Sequence, residues 1–212
     1  MTSTTRSVAL LAAAGVLGCA LLAADKPAAP KPAMPLPEYD QTGALLRPVD
    51  YEKWVVVGTS IGLGYEDGKK ADPDNPGQFN NVYLQTAAFD HFVETGEFPE
   101  QTMFIVTNLP SRSTKKDKEK TGVLRSGFFA GSTVGMEVSI KDSKRFPEGW
   151  GYYMFHDKPG EPKKARDAEK PFARKDCYDC HAEHAANDLV FTQYYSVLTA
   201  AREKKLAETK AK

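Results

Sequence analysis

The chain has 212 residues, 41% of them hydrophobic and 26% charged, with Lys+Arg and Asp+Glu balanced at 28 each. That length accommodates one domain of ordinary size with a real core, and the balanced charge offers no basic field to phosphate backbones, which argues against nucleic acid as a partner. Three cysteines are too few for a disulfide scaffold.

The amino terminus has one early positive charge, Arg6, followed by an apolar run from Val8 to Ala24 that closes on small residues. Residues 1–24 read as an export signal, which puts the mature protein in the periplasm or another exported compartment. A retained transmembrane anchor is the rival, but seventeen residues dominated by Ala and Gly are short and weak for one. The stretch "VLGC" loosely resembles a bacterial lipoprotein box and would anchor the chain through a lipid on Cys19. The apolar "ALLAA" that follows argues against this, and either way Cys19 leaves the folded domain.

Residues 25–44 form a linker: five prolines within eleven residues cannot build a helix or a sheet interior, and order is expected to begin near Thr42. The domain proper is expected over residues 45–200. Trp54 to Val57 is a strand ended by Gly58, and "GYEDGKKADPDNPGQ" is a polar loop. "FNNVYLQ" is a strand. "TAAFDHFVETG" is a helix with Thr86 as cap, Phe89, Phe92 and Val93 on one face, and Gly96 as stop. "TMFIVTNL" is a buried-type strand and "PSRSTKKDKEKTGV" a charged loop. "SGFFAGSTVGMEVSIKD" is a long strand or hairpin relieved by glycines, and "GYYMF" follows after a turn. Asp176 to about Lys205 is mostly helical by periodicity, with residues 201–212 a charged tail that frays. Strands first and a helical segment last predict an α+β fold with a mainly antiparallel sheet, flanking helices and the cysteine segment near the carboxy terminus.

That segment, "RKDCYDCHAEH", carries the chemistry. A redox dithiol, a zinc clip and covalent attachment of haem could each use it. A thioredoxin-type dithiol opens a helix after an apolar strand, whereas here the approach is rich in Lys and Pro. A closed zinc site wants four ligands, and His91 and His156 are isolated from the cluster. Cys177-Tyr-Asp-Cys180-His181 fits the haem-attachment pattern: each sulfur forms a thioether with one vinyl group, and the next imidazole becomes the proximal iron ligand. One haem c per chain is therefore expected, held by Cys177, Cys180 and His181.

The second axial position separates an electron-transfer cytochrome from a gas-binding or catalytic one. Met103, Met136, Met154, His91, His156 and His184 are the candidates. The three methionines lie in strand-like runs where Met is ordinary core filler, and His184 follows His181 on the same helical stretch. An open distal site is expected.

"NVYL…FDHFVETGEFPEQT", "GFFAGSTVGMEVSIKDSKRFPEGWGYYMF" and "CYDCHAEHAANDLVFTQYY", in this order, resemble the cytochrome P-460 family with its cytochrome c-prime-beta relatives, over about Leu46 to Leu198. The resemblance implies an antiparallel α+β fold, a single c-type haem, a free distal site and a homodimer. Hydroxylamine-oxidising members carry a strand lysine cross-linked to the porphyrin. The matching position here is Val106, and Thr102 to Leu109 contains no lysine; Lys115 and Lys116 lie beyond, in the charged loop. Relatives without that lysine keep an apolar distal pocket and bind small neutral gases. Phe104, Val106 and Phe172 are the expected lining, around an uncharged site for nitric oxide or a similar diatomic. Hydroxylamine or nitric oxide oxidation and plain Met-ligated electron transfer are the alternatives, with no redox partner specified.

Overall fold

The computed structural model describes residues 33–63, 72, 75–113, 127–157 and 167–211. The export signal with Cys19, and Lys115 and Lys116, lie outside these residues. In chain order the elements are β1 (Leu45–Leu46), a 3-10 turn (Tyr51–Lys53), β2 (Val55–Ile61), β3 (Gln78–Leu84), α1 (Thr86–Thr95), β4 (Met103–Ser113), β5 (Phe128–Ala130), β6 (Gly135–Lys141), β7 (Trp150–His156), β8 (Ala168–Glu169), α2 (Arg174–His184), a second 3-10 turn (Thr192–Tyr194) and α3 (Ser196–Lys210). The architecture is α+β, and its main sheet is antiparallel in the order β2-β3-β4-β6-β7, with β5 joining β4.

Alternation along β4 shows how the sheet makes two cores. Side chains of a strand point to opposite faces in turn. Met103 and Ile105 enter one apolar cluster with Met136, Ile140, Tyr153 and Phe155. Phe104 and Val106 enter the other, with Leu84, Phe92, Trp150 and Leu198. Fully burying a side chain of this size stabilises the fold by about 1.5–3 kcal/mol, so the sheet is committed to its register on both faces. The two-stranded β1–β8 ladder belongs to the first face through Leu45. The helices α1 and α3 cover the second face through Ala88, Phe92 and Leu198.

Several local expectations change. The strand beginning near Trp54 does not end at Gly58 but runs to Ile61, with a register shift between Val56 and Gly58. Gly58 is needed for close approach: a Cβ there would sit 2.8 Å from the Tyr195 ring. Helix α1 starts after Gln85 rather than using Thr86 as its cap. The Gln85 side chain is spent elsewhere: its Nε2 donates to the Pro35 and Gln101 carbonyls (2.5 and 3.3 Å) and its Oε1 accepts from the Met103 N–H (2.6 Å). The polypeptide is thus tied to the core at Pro35, upstream of Thr42. Gly96 ends α1 in the left-handed conformation, φ 84°.

The glycine-rich stretch before Lys141 is neither one strand nor a hairpin. β5 and β6 both pair with β4, and the link between them keeps contact through Gly131 N–H to the Pro110 carbonyl and Val134 N–H to the Asn108 carbonyl. The carboxy-terminal helical stretch is also interrupted. Ala185 to Tyr195 separates α2 from α3, and α3 continues through Lys210. Arg202 of α3 donates to the Val93, Glu94 and Thr95 carbonyls at the end of α1 (2.8, 2.9 and 3.1 Å), satisfying acceptors that a helix end leaves orphaned.

Candidate functional site

Helix α2 carries Cys177, Cys180 and His181. Positions three and four apart share a helix face, so the two sulfurs and the imidazole lie within one turn and address one side. No side-chain cap starts this helix, and none of its residues is buried. Polar links hold it instead. The Phe172 N–H donates to the Tyr152 carbonyl on β7 (2.8 Å), and Arg174 reaches Glu148 (3.0 Å) and Asp179 (3.2 Å) while lying 4.3 Å over the Tyr178 ring.

His181 is fixed by three neighbours. Its Nδ1 lies 2.7 Å from the Leu189 carbonyl oxygen, and its ring lies tilted against both Tyr152 and Phe191, each at 4.6 Å centroid distance. A carbonyl accepts only, so Nδ1 carries the proton and Nε2 keeps its lone pair, the tautomer that a metal-ligating imidazole needs. Burial pushes the His181 pKa down, against the opposing pull of the Leu189 carbonyl and the Glu137 carboxylate. Burial thus favours the neutral imidazole.

Both cysteines are free thiols. Burial pushes Cys177 up to about 11, with the Glu137 carboxylate adding to the effect. A redox dithiol needs a depressed thiol pKa, so this environment does not suit one. Among the described residues no group of three or more His, Cys, Asp or Glu is placed to hold a metal ion.

The sheet face under α2 follows from strand register. Directly opposed residues of antiparallel strands share a face. Leu84, Phe104, Ser139 and Tyr152 form one cross-strand row, and Val82, Val106, Glu137 and Met154 the next. Cys177 and Tyr178 pack against the cluster containing Phe104, Val106 and Tyr152, so the structure brings the attachment segment together with two of the three expected lining residues. Phe172 is 46% exposed and lines a shallow surface cavity with Trp150, Tyr152, Arg174 and Tyr178.

Glu137 adds a charge to this face. Its place opposite Val106 puts a carboxylate on this face, close enough to act electrostatically on both Cys177 and His181. Asn108, one alternate position along β4, donates through Nδ2 to Glu137 (3.1 Å) and to Asn80 (3.2 Å). The alternation of "GMEVSIK" could have placed Glu137 opposite the buried Met136 and Val138, but only the β4–β6 register reveals that it neighbours Val106.

The sixth-ligand candidates separate by face. Met103 and Met136 belong to the opposite core. His91, His156 and His184 are exposed. Met154 shares the site's face, with its methyl 3.0 Å from where a Cβ on Gly135 would stand, so it lies along the sheet.

Tyr152 adds an independent sign of a missing partner: its hydroxyl is buried without a hydrogen bond, and burial raises its pKa. A buried polar atom of this kind normally finds a partner, and it sits beside the imidazole and the thiols. The residues present therefore fit the donor set of a covalently attached haem: two thiols and a proton-directed imidazole on one helix face, beside an unpartnered hydroxyl. Such a helix over such a sheet face defines a haem-binding cytochrome of α+β fold. The chain belongs to the Cytochrome P460 family, whose model matches residues 48–192, most of the chain. No curated protein matches it.

Proposed function

We propose that the chain is an exported mono-haem c-type cytochrome that binds a small diatomic such as nitric oxide. Cys177 and Cys180 would hold the group through thioethers, and His181 would supply the axial imidazole through Nε2. When bound, that group supplies a redox-active iron with one coordination position for a small neutral molecule. The observation that carries the reading is the Nδ1 contact of His181 with the Leu189 carbonyl, which leaves Nε2 as the only ligating atom of a ring fixed between two aromatics. Placing Met103 and Met136 in the opposite core supports an open second axial position.

Carbon monoxide titration of the ferrous holoprotein tests this. Ready binding with an ordinary c-type pyridine adduct is expected, and an unchanged spectrum overturns the open site. Pairing of two copies as a homodimer is part of the proposal and is read from the mass of the native protein in solution.

Glu137 favours a second reading, oxidation of a protic substrate of the hydroxylamine type. A carboxylate on the site's face can take up a proton from a bound N–H or O–H, a role that no purely apolar lining supplies. Hydroxylamine-dependent reduction of an added electron acceptor, abolished in Glu137→Gln with carbon monoxide binding retained, would establish it. Absence of turnover in the unmodified protein would leave the gas-binding reading.

A further inference from the structure

The loop between α2 and α3 contains an uncommon turn. Asp188 and Leu189 both have left-handed backbone, φ 49° and 58°. Asn187 and Val190 bridge across them, with the Val190 N–H donating to the Asn187 carbonyl at 2.8 Å. Asn and Asp tolerate this conformation because their short side chains bond locally. Leucine has no such help, so its left-handed backbone is strained. Strained backbone persists where its surroundings over-determine it, and Leu189 is the residue whose carbonyl meets His181.

The surroundings are visible. Asp188 Oδ2 accepts from Lys141 Nζ at 2.7 Å and Oδ1 from Trp150 Nε1 at 3.2 Å. Lys141 ends β6 and also donates to the Phe98 carbonyl at 2.8 Å; Trp150 begins β7 and is 3% exposed. Asn187 Nδ2 donates to the Gly96 carbonyl at 3.3 Å. The turn is thus pinned to the sheet's end and to the end of α1, and both oxygens of one carboxylate make the sheet-side link.

Building on the axial role proposed for His181, we infer that Asp188 is a positioning residue: it clamps the turn so that the Leu189 carbonyl stays on His181 Nδ1 and sets how strongly the imidazole donates to iron. A firm hydrogen bond at Nδ1 makes Nε2 a better donor, which stabilises the ferric over the ferrous state. Loosening the clamp lengthens that bond and shifts the couple toward ferrous.

The test uses the mature holoprotein with Asp188→Ala, Asp188→Asn and Lys141→Gln, read by spectroelectrochemical titration and by the ferrous iron–histidine stretch. Asp188→Ala is expected to shift the couple toward ferrous by roughly three- to tenfold, tenfold being about 59 mV for one electron, and to lower the stretching frequency. Asp188→Asn keeps an acceptor for Trp150 and tolerates the left-handed backbone, so it shifts less. Lys141→Gln shifts in the same direction and carries the test alone if the alanine variant fails to fold. An unmoved potential and stretch in the folded, haem-loaded variants overturn the clamp while leaving the axial assignment intact. Absence of any iron–histidine stretch in the unmodified protein, with its ferrous haem shown to be five-coordinate, overturns the axial assignment itself.

Discussion

Helices α1 and α2 are nearly the same length and are stabilised in different ways. α1 buries Ala88 and Phe92 in the core, stops at a left-handed glycine, and has its last carbonyls held by Arg202. α2 buries no residue fully and is fastened by polar contacts, one imidazole and the partial packing of Cys177 and Tyr178 on the core. The first is a structural helix whose partner is the sheet. The second is poised for a partner that is not polypeptide, and haem attachment through Cys177 and Cys180 would be the largest single contribution to its stability.

The strongest way to break this comparison is to remove the covalent anchor. The variant Cys177→Ala with Cys180→Ala is expected to lose all denaturation-resistant haem staining while keeping its sheet signal in circular dichroism. Hydrogen exchange should then quicken across Arg174–His184 and remain slow across Thr86–Thr95. Equal loss of protection in both helices would refute the contrast.

Next in size is Gln85→Leu. It orphans the buried Met103 N–H and removes the donor to two part-buried carbonyls. A loss of about 3 kcal/mol in denaturant unfolding is expected, without a change in haem content, because the residue supports α1 and not α2.

The thiols provide a probe of α2 alone. In haem-free protein Cys177, pushed up from 9.0 to about 11, carries about a hundredfold less thiolate at pH 8 than an unshifted group would. Its alkylation should lag that of the exposed Cys180 and accelerate as pH rises toward 11. Equal rates, followed by mass spectrometry, would show that α2 does not hold Cys177 against the core. The smallest effect is expected from Arg202→Ala, about 1–2 kcal/mol, since its contacts with α1 are largely solvent-accessible. Its exchange signature should be confined to the end of α1.

Much of the site was legible in the sequence because its signals are local. Cys-x-x-Cys-His needs only one helical turn to be meaningful, and Gly96 needed only its neighbours to be read as a helix stop. The lining was half legible. Phe104 and Val106 followed from strand alternation within β4, whereas Glu137 entered through cross-strand pairing with a segment about thirty residues away, which no local pattern encodes. The break between α2 and α3 had a signal in Asn187-Asp188, a turn-forming pair, that helical periodicity on both sides obscured. Gly58 looked like a strand end because its actual role depends on Tyr195, far along the chain.

The register shift at Val56–Gly58 also bears on how molecules of this protein can meet. β2 is the outermost strand of the main sheet and exposes Val56 and Ile61. A flat border of that kind would invite a neighbour's strand to continue the ladder, but a bulge there throws the donors and acceptors out of step. Continuation of the ladder by a neighbour's strand is therefore disfavoured along this border, which guards against fibrous growth.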